Sequence, residues 1–516
     1  MVWPYRRRKG KVYLAPGTNG TSGTDGTLPF TSNLYPLCWR DAGSTLTSNH
    51  LTINSPFDVV VIGGGLSGLA AGIRLAHFGK RVCVFERHTK AGGLNSWYER
   101  GGRVFDTGLH AFTNFASPED RSAPLNRILR QLRIRREELR LCPQSHSTIR
   151  CGTTELRLDN DVASFKERVA KQFPADREGF EALLERIEQC AYADTPQPER
   201  TAREVLAQYL KSRRLQDLLC LPVFFFGNAW GGEMPFSAFA TLFKSIFVEG
   251  FARPQDGMRP IIELLTERLQ EVGAELHFGC EITKINLDKS GKFQSILDNS
   301  GQLFPADCCL STIGAVETRR LLGDSVIPPP LSEARSGGIQ FVEALFELDE
   351  APSAYGLTDC MQFIGLERDF AFRAMSASSP ADCLLVCVPD NYIGVSPTRM
   401  LRLSAPVASL GPLHSDLARD AMEPGVKSIL AQMLLAQLGA YYPRLAGHAK
   451  FLDLYTPHTF QRFTGHANGA IYGSPDKFAD GATGVPHLEL AGTDQGLLGI
   501  VGALLSGVLA ANRILK

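Results

Sequence analysis

In the stretch 61-VIGGGLSGLAAGIRLAHFGKRVCVFERHTKAGG-93, a glycine cluster follows an apolar run, and an alanine-rich segment follows the glycines. The preceding residues 57–62 are rich in β-branched valine and isoleucine and predict a strand. Helix-forming residues run from Leu66 to Phe78 with Gly79 as C-cap, and residues 81–86 predict a second strand. We therefore predict a right-handed βαβ unit with parallel strands.

The glycines of this turn have the spacing G-x-G-x-x-G, which is typical of a dinucleotide-binding turn. Gly63 permits the tight turn, Gly65 lets the backbone approach a pyrophosphate, and Gly68 lets the helix pack on the strand. The helix N-terminus, with Leu66 and Ser67, offers unpaired N–H groups to the anion. The turn therefore predicts a bound dinucleotide.

Glu86 ends the second strand 18 residues after Gly68, where a carboxylate accepts hydrogen bonds from the adenosine ribose. A negative charge at this position disfavours the 2′-phosphate of a phosphorylated nicotinamide cofactor. It does not distinguish NAD from FAD, because both cofactors carry this ribose. The βαβ unit by itself leaves the identity of the dinucleotide open.

The residues after Glu86 carry a more specific pattern, 86-ERHTKAGGLNSWYERGGRVFDTGLH-110. E-x5-GG, followed by a short strand pair that ends in F-D-x-G, resembles the second fingerprint of the FAD-dependent amine oxidase and phytoene desaturase superfamily. The resemblance implies that the cofactor is FAD. It also implies that FAD contacts the following residues of this motif: Arg87, Gly92, Gly93, Leu94, Asn95, Thr107, Gly108, Leu109 and His110.

Two further segments resemble the same superfamily, in the same order along the chain. The segment 491-AGTDQGLLGIVGALLSGVLAA-511 is similar to its closing motif, in which an aspartate reaches the ribityl and pyrophosphate groups and a helix faces the flavin. The motif implies cofactor contacts at Asp494, Gly499, Ile500 and Gly502. Residues 256–285 resemble the element that contacts adenine, and this contact falls on Ile282. We predict that the C-terminal helix is buried against cofactor and not against lipid.

Within the superfamily, the details resemble the carotenoid isomerase and retinol saturase branch. Many members have arginine directly after the double glycine, whereas this chain has Leu94. The strings 105-FDTGLHAF-112 and 456-TPHTFQRFTGHANGAIYG-473 are also similar to that branch. The departure at Leu94 leaves open which group supports the pyrophosphate.

Residues 221–251 hold eight of the 30 phenylalanines of the chain. Four of them follow helical spacing: Phe236, Phe239, Phe243 and Phe247. A buried core helix explains any one of these residues. Their density also suits a tunnel for a long apolar chain or a surface that dips into a bilayer. We predict an apolar substrate and peripheral membrane contact.

A flavin carries the hydride chemistry itself, so that the protein binds and orients the reactants and excludes water. Two side chains are candidates for proton transfer in such a site. His110 is next to the flavin ring by its motif position, and Tyr472 belongs to the substrate-side motif. The alternative at His110 is a histidine that only packs beneath the cofactor.

The resemblance implies an FAD-dependent oxidoreductase that desaturates or cis–trans isomerises a long apolar isoprenoid, either a carotenoid or its precursor. Saturation of a retinoid-type double bond and oxidation of an amine are the alternatives on the same fold. A non-enzymatic alternative is a carrier of prenylated proteins of the Rab GDP-dissociation inhibitor type. The intact glycine motif, Glu86 and Asp494 argue against that carrier.

Composition limits the partners of the protein. Lysine plus arginine and aspartate plus glutamate both number 54, and this zero formal charge argues against a nucleic-acid partner. The 12 cysteines lack C-x-x-C pairs, which indicates reduced, buried thiols and predicts no metal site. No apolar run reaches the roughly 18 residues of a membrane span. We predict a protein of the cytoplasm or an organelle stroma that contacts membranes peripherally.

The order of elements predicts an α/β fold, in which a Rossmann-like FAD-binding domain with a parallel sheet is interleaved with an α+β substrate or cap domain. We assign residues 57–135, 252–320 and 480–516 to the FAD-binding domain, and residues 136–251 and 321–479 to the cap domain. Helical regions are predicted at 120–140, 162–191 and 202–219, all on the cap side. For the basic, Ser/Thr/Gly-rich residues 1–56, a disordered tail and a transit peptide are the alternatives.

Overall fold

A computed structural model describes residues 57–190, 200–323, 325–365, 382–407 and 424–516. The predicted tail at 1–56 lies outside the described residues. Along the described part of the chain, the α-helices are α1 (Leu66–His77), α2 (Pro124–Leu132), α3 (Val162–Gln172), α4 (Arg177–Glu188), α5 (Ala202–Tyr209), α6 (Arg213–Gly227), α7 (Phe236–Phe243), α8 (Arg259–Glu271), α9 (Ala315–Leu322), α10 (Pro424–Gly439), α11 (Pro457–Thr464) and α12 (Gly499–Ile514).

The strands form two large sheets and two short ribbons. In chain order they are β1 (Phe57–Ile62), β2 (Val82–Glu86), β3 (Trp97–Arg100), β4 (Arg103–Asp106), β5 (Leu141–Pro143), β6 (Ser147–Cys151), β7 (Thr154–Leu158), β8 (Ala252–Pro254), β9 (Glu275–Phe278), β10 (Ile282–Leu287), β11 (Phe293–Asp298), β12 (Leu303–Ser311), β13 (Gln340–Leu348), β14 (Met361–Gly365), β15 (Cys383–Cys387), β16 (Met400–Val407), β17 (Ala449–Tyr455) and β18 (Leu488–Leu490).

The first sheet has the strand order β10-β11-β12-β1-β2-β9, with β18 beside β12. Strand β1 pairs in parallel with both β2 and β12, and β2 pairs in parallel with β9. Helix α1 connects β1 to β2, which confirms the predicted parallel βαβ unit. The sequence Val59–Ile62 is buried on both faces, as expected for a central strand of a covered parallel sheet.

The second sheet has the order β17-β13-β16-β15-β14-β6-β7 and is antiparallel apart from the β14–β6 pair. All its strands come from the segments 136–251 and 321–479. The strands of the first sheet come from 57–135, 252–320 and 480–516. The chain therefore passes back and forth between the two sheets, and the ribbon of β5 and β8 connects the two sets of segments.

Helices α1 and α12 pack against each other beside the first sheet, within one buried apolar cluster. A Cβ at Gly507 would lie 2.1 Å from the carbonyl oxygen of Ser67, so that a larger residue would push the two helices apart. Helix α12 thus packs against protein. No helix in the described ranges has the length and apolar character needed to cross a bilayer.

The structure corrects the helical regions predicted at 120–140, 162–191 and 202–219. Helix α2 ends at Leu132, and its C-cap Arg133 has a φ of +55°. The helix packs in the cluster of α1 and α12 and not on the cap side. The second region is two helices, α3 and α4, because Pro174 starts a new turn between them. The third is also two, because Ser212 caps the N-terminus of α6 and accepts from the amide of Leu215.

The phenylalanine-rich segment forms α6, α7 and a π-helical turn, Lys244–Val248. The side chains of Phe236, Phe239, Phe243 and Phe247 are at most 4% exposed. They stack in sequence along the helix and belong to the apolar core under the second sheet. The core explanation therefore holds for these four residues, and the bilayer-facing surface is wrong for them.

Candidate functional site

The three motif glycines are required for different reasons. Gly63 has φ +103°, and a Cβ there would lie 2.5 Å from Oγ1 of Thr312. A Cβ at Gly68 would lie 2.0 Å from the carbonyl oxygen of Gly63. At Gly65 the nearest protein atom to a Cβ would be Cα of Gly93, 3.9 Å away. Protein packing thus excludes side chains at the first and third glycines, whereas the second borders open space.

Glu86 lies at the carboxyl end of β2, directly behind the glycine turn. Its Oε2 accepts from the amide of Gly64 at 2.8 Å, and its Oε1 accepts from the amide of His88 at 2.9 Å. The side chain is 6% exposed. Because each carboxylate oxygen has two lone pairs, both oxygens can still accept a hydrogen bond from a ligand hydroxyl. The two amides fix the carboxylate in place for this contact.

A cavity with about 1290 Å³ of atom-free space, including the part open to solvent, lies at the carboxyl ends of β1, β2 and β12. We name it the glycine-loop cavity. This position is where open parallel sheets bind ligands. Eleven of the predicted cofactor residues line it: Gly63, Gly65, Leu66, Ser67, Glu86, Arg87, Gly92, Gly93, Leu94, Asn95 and Ile282.

A second cavity, with about 960 Å³ of atom-free space, adjoins the first. We name it the phenylalanine cavity, since Phe225, Phe226, Phe341 and Phe460 form much of its wall. Five residues line both cavities: Leu94, Asn95, Ile471, Thr493 and Ala503. The two cavities therefore meet beside the residues that follow the double glycine.

Five predicted site residues line the phenylalanine cavity alone: Gly108, His110, Tyr472, Gly499 and Ile500. A Cβ at Gly108 would lie 2.6 Å from the carbonyl oxygen of Leu94, which explains the glycine in F-D-x-G. Gly499, with φ +75°, begins α12. The second fingerprint and the closing motif, about 390 residues apart, thus meet at one cavity.

The structure places Asp494 differently from the motif-based expectation. Its carboxylate is 1% exposed and does not line either cavity. Oδ2 accepts from the amide of Ala315, the first residue of α9, at 2.7 Å, and Oδ1 accepts from the amide of Ser474 at 2.8 Å. Asp494 therefore holds the start of α9 against the loop at 474, while its neighbour Thr493 reaches both cavities.

Four other predicted cofactor residues also lie behind the cavity walls. Gly68 packs on the glycine turn, and a Cβ at Gly502 would lie 2.7 Å from the backbone of Leu497. Leu109 is fully buried in the apolar cluster of α1. Oγ1 of Thr107 donates to the carbonyl of Leu94 at 2.6 Å. These residues support the cavity wall from behind. Gly68, Gly502 and Leu109 pack closely against other parts of the protein, and the Thr107 hydroxyl is hydrogen-bonded to the backbone.

His110 brings a polar group into the phenylalanine cavity. Its Nε2 lies 2.9 Å from Oγ of Ser404 and 3.5 Å from Oε1 of Glu343, and both partners line the cavity. The antiparallel register of β13 and β16 places Glu343 opposite Ser404 and diagonal to Arg402. A hydrogen-bonded polar group thus lies in a wall that is otherwise largely aromatic and aliphatic.

The pair of Glu343 and Arg402 was not predicted. Arg402 Nε donates to Oε1 of Glu343 at 2.6 Å, and each side chain is 3% exposed. Burial raises the pKa of Glu343, but the Arg402 guanidinium and His110 outweigh it and lower this pKa to about 2. Each residue is a charge within an apolar strand, 341-FVEALFEL-348 and 401-LRLSAPV-407, and this pattern could have identified both.

Tyr472 lines the phenylalanine cavity with its ring, whose edge meets Phe341. Its hydroxyl donates to the carbonyl oxygen of Phe225. Burial raises the pKa of this hydroxyl. A chemical role for Tyr472 stays a prediction, and the observed contact is one that fixes the position of α6 at the cavity.

Within the described part of the chain, three side chains that can carry positive charge line the glycine-loop cavity: Arg87, Arg320 and His466. Nη2 of Arg87 donates to the carbonyl of Arg462 at 2.7 Å. Burial lowers the pKa of His466, but the Glu317 carboxylate, 3.8 Å away, outweighs burial and raises it. Arg87, Arg320 and His466 are therefore the candidates for supporting a pyrophosphate in a chain that has Leu94 after the double glycine.

Comparison with known families agrees with this geometry. A family model described as flavin containing amine oxidoreductase matches residues 66–515. The chain belongs to this family. It is therefore a flavin-dependent oxidoreductase, and its flavin is FAD, because the glycine motif and Glu86 form a site for a dinucleotide. This confirms the predicted family, enzyme class and cofactor.

Three curated proteins illustrate the relationship. The chain is 28% identical over 320 residues to phytoene dehydrogenase from Streptomyces griseus, which covers 56% of this chain and 61% of that protein. It is 22% identical over 525 residues to chloroplastic prolycopene isomerase from Arabidopsis thaliana, covering 92% of this chain and 84% of that protein. It is also 22% identical over 533 residues to all-trans-retinol 13,14-reductase from Rattus norvegicus, covering 89% and 86%.

The fold is also shared with solved structures. An oxidoreductase from Methanosarcina mazei superimposes with a TM-score of 0.63 at 16% identity, covering 88% of this chain and 99% of that chain. This likeness confirms the predicted α/β architecture with its parallel nucleotide-binding sheet.

Proposed function

We propose that the protein acts on a long apolar isoprenoid, a carotenoid or a carotenoid precursor, by desaturation or cis–trans isomerisation of the polyene. The phenylalanine cavity carries this proposal, because it adjoins the glycine-loop cavity and its wall is mainly aromatic and aliphatic. The polar side chains of His110, Glu343, Ser404 and Tyr472 already have protein partners. A hydrocarbon in this cavity therefore breaks none of these hydrogen bonds.

In this proposal the open space beside Gly65, which a Cβ would enter, receives the pyrophosphate of FAD at the N-terminus of α1. Glu86 accepts hydrogen bonds from the adenosine ribose, and Ile282 contacts the adenine. Gly108 and Gly499 line the phenylalanine cavity, where the flavin ring would meet the substrate. Bound FAD would supply the two-electron chemistry. The protein would bind and orient the cofactor and the substrate and exclude water.

The same cavity argues against a cationic amine as substrate. An amine would require an aromatic site with a carboxylate free to pair with it. Glu343 is a carboxylate that lines the phenylalanine cavity, but Arg402 already neutralises it through Nε and Nη2. A second cation would meet an ion pair with no net charge, so an apolar substrate fits this cavity better.

Saturation of a retinoid-type double bond is the second candidate function. The similarity to all-trans-retinol 13,14-reductase over 89% of this chain favours it. In addition, His110 places a ring nitrogen in the apolar wall, where a double-bond reduction needs a proton donor.

Carotenoids and their precursors dissolve in bilayers, and the proposal therefore includes peripheral membrane contact from the cytoplasm or an organelle stroma. We expect the purified holo-protein to co-sediment with liposomes that contain the substrate. Protein that stays entirely in the supernatant would contradict the membrane contact.

The reaction is tested with holo-protein and liposomes that contain phytoene, prolycopene or all-trans-retinol, with chromatography and absorption spectra of the products. New conjugated double bonds in phytoene, isomerised prolycopene or a saturated retinol each support one branch of the proposal. The matched control is Gly65→Val, which we expect to fold without FAD. If holo-protein changes none of the three compounds under reducing or oxidising conditions, the proposed substrate class is wrong.

A further inference from the structure

The two ring nitrogens of His110 have different surroundings. Nε2 faces Oγ of Ser404 at 2.9 Å and Oε1 of Glu343 at 3.5 Å. Nδ1 makes no hydrogen bond to any residue that the structure describes. The imidazole lines the phenylalanine cavity and is 19% exposed, so it is in contact with the cavity space. Nε2 thus has a hydroxyl within hydrogen-bonding distance and a carboxylate beside it, whereas Nδ1 has no hydrogen-bond partner among the described residues.

The carboxylate that faces Nε2 is held ionised in a fixed position. Arg402 binds Glu343 through Nε at 2.6 Å and through Nη2 at 2.5 Å. Arg402 also donates to the carbonyls of Asp106 and Thr107, at 3.2 and 3.3 Å. These carbonyls belong to the segment that carries His110, so the same guanidinium fixes both partners of the histidine–carboxylate contact.

The backbone of His110 is anchored from three other elements. Its carbonyl oxygen accepts from Nη1 of Arg253 on β8 at 3.2 Å, from the thiol of Cys387 on β15 at 3.6 Å and from the hydroxyl of Tyr392 at 3.4 Å. Arg253 in turn pairs with Asp106 at 2.8 Å. The charges around His110 therefore occur as the pairs Glu343–Arg402 and Asp106–Arg253, and the backbone of His110 is held in place by Arg253, Cys387 and Tyr392.

A carboxylate beside one nitrogen of a neutral imidazole favours the tautomer with the proton on that nitrogen. Here the carboxylate of Glu343 favours the proton on Nε2. The lone pair is then on Nδ1, the unpaired nitrogen of a ring that lines the cavity. This is the arrangement by which a carboxylate orients a histidine for proton transfer.

We propose that Glu343 is a positioning residue, which acts through Nε2–H of His110 and makes Nδ1 the proton-accepting atom of the phenylalanine cavity. The inference rests on the proposed function, since it deepens the chemistry of that site. It adds a role for Glu343 and its support Arg402, and it assigns the proton transfer to one atom.

In a desaturation, bound FAD would supply the two-electron oxidant, and one carbon of a CH–CH unit of the substrate would lose a hydride to that oxidant. The C–H bond on the adjacent carbon breaks, and its proton forms a bond with Nδ1 of His110. The electron pair of that bond becomes the second bond of the new double bond. The imidazolium that results lies beside ionised Glu343, which stabilises it, and it later releases the proton. Saturation of a double bond runs these transfers in reverse, with Nδ1–H as proton donor.

The tautomer is measured by NMR of holo-protein with ¹⁵N-labelled histidine, in which the signals lost in His110→Gln identify His110. We expect the neutral ring to carry its proton on Nε2, and we expect Glu343→Gln to reduce the Nε2–H population. The matched control Glu347→Gln changes a carboxylate on the same strand that pairs with Arg103 and Arg399, and it leaves the signal unchanged. A wild-type ring with its proton on Nδ1 would overturn the proposal.

A buried, unpaired Arg402 can prevent Glu343→Gln from folding. In that event the double variant Glu343→Gln/Arg402→Met removes the carboxylate and its counterion together. The same NMR signal is then read in the double variant. An unchanged Nε2–H population in the variant that folds would also overturn the proposal, since Glu343 would not control the tautomer.

Turnover is measured with whichever of phytoene or all-trans-retinol the wild-type protein converts. We expect kcat to fall about 10²-fold in His110→Gln and about tenfold in Glu343→Gln. KM and the amount of bound FAD stay near wild type, and Glu347→Gln keeps the wild-type kcat. Wild-type kcat in His110→Gln would refute the inference while the proposed function stands. If wild-type protein converts no probe, the proposed function fails, and the tautomer measurement still decides the role of Glu343.

Discussion

Twelve of the residues that line the glycine-loop cavity lie between positions 62 and 95, whereas Leu94 and Asn95 alone from that stretch line the phenylalanine cavity. Among the described residues, the rest of the phenylalanine cavity comes from the loop after β4, from α6, β13, β15, β16, α11 and α12, and from the segments that follow α11 and β18. One cavity thus takes twelve of its 28 lining residues from one βαβ unit and its extension. The other is built from segments that are distant in sequence.

The two cavities also differ in the atoms that their walls offer. The glycine-loop cavity presents backbone next to glycines, together with charged and titratable side chains that include Glu86, Arg87 and Arg320. The phenylalanine cavity presents side chains, and its charged wall residue depends on a partner from another strand. We conclude that a local motif predicts the backbone geometry of one part of a cavity, whereas a site lined by side chains from several strands needs correct strand register.

The largest expected effect is at Gly65. A Cβ at this position meets no protein atom closer than 3.9 Å, so we expect Gly65→Val to fold and to lose FAD. Loss of two charge-assisted hydrogen bonds from the backbone, at about 1.5–3 kcal/mol each, predicts about 10²- to 10⁴-fold weaker binding by flavin fluorescence titration. Gly68→Val, in contrast, would not give folded protein, since its Cβ would lie 2.0 Å from a carbonyl oxygen.

Gly232→Ala is the matched control for that test, because a Cβ at Gly232 meets nothing within 4 Å and the residue is exposed. We expect wild-type FAD affinity in this variant. Normal FAD affinity in Gly65→Val would show that the cofactor does not require this glycine. The predicted difference between the two cavities would then not hold.

The next largest effect is at the buried ion pair of the phenylalanine cavity. Glu343→Leu and Arg402→Met each leave a buried charge without its partner and should lower the free energy of unfolding by about 3–5 kcal/mol. In the double variant both charges are gone, and we expect most of this loss to be recovered. Urea denaturation of the three variants measures the coupling. Additive losses in the double variant would show that the two charges do not depend on each other.

A smaller effect is expected at Glu86. Glu86→Ala removes the charge-assisted hydrogen bonds to the ribose and should weaken FAD binding by about 1.5–3 kcal/mol, which is about 10- to 150-fold. The control is Glu99→Ala on β3, whose carboxylate pairs with exposed Arg259. Isothermal titration of apo-protein with FAD gives both affinities. Equal affinities in the two variants would remove Glu86 from the cofactor site.

The smallest effect concerns Glu249, a half-buried carboxylate that follows the π-helical turn after α7. Burial raises its pKa to about 7, and the hydrogen bond from Asn114 only partly opposes burial. Between its ordinary pKa of 4.5 and 7, the folded protein keeps a proton that the unfolded chain releases, so stability falls as pH rises through this window. We expect Glu249→Gln to raise Tm by about 2 °C at pH 8 and to leave it unchanged at pH 4.5.

Glu347→Gln serves as the control for this pH dependence, because its carboxylate pairs with Arg103 and Arg399 near the surface. A Tm difference for Glu249→Gln that is the same at both pH values would contradict a titrating carboxylate. Together, Glu249 and Glu343 compare a carboxylate whose pKa is raised by burial with one whose pKa is lowered by a paired guanidinium.

Much of the glycine-loop cavity could be predicted from the sequence. The strand, turn, helix and second strand lie within 30 residues, and glycine spacing reports directly on backbone geometry. The cofactor followed from the residues after Glu86, because the positive φ of Gly92 and Gly93 and the close backbone contact at Gly108 favour glycine and leave a recognisable pattern.

Other features could not be predicted, for identifiable physical reasons. The direction of the Asp494 carboxylate depends on amides of Ala315 and Ser474, which only the folded chain brings beside it. The helical region at 120–140 was assigned to the wrong side, since an amphipathic helix records that one face is buried but not what covers it. For the same reason, the helical spacing of Phe236, Phe239, Phe243 and Phe247 does not distinguish a core helix from a substrate tunnel or a bilayer-facing surface.

The pattern of glycines, β-branched residues and Glu86 was enough to determine a dinucleotide-binding βαβ unit, because each of those residues acts through the backbone of its own neighbours. Tertiary structure alone decided that Glu343 meets Ser404, Arg402 and His110. The antiparallel register of β13 and β16, together with the loop after β4, brings these side chains within hydrogen-bonding distance. Such a register depends on the packing of whole sheets, and no short stretch of residues encodes it.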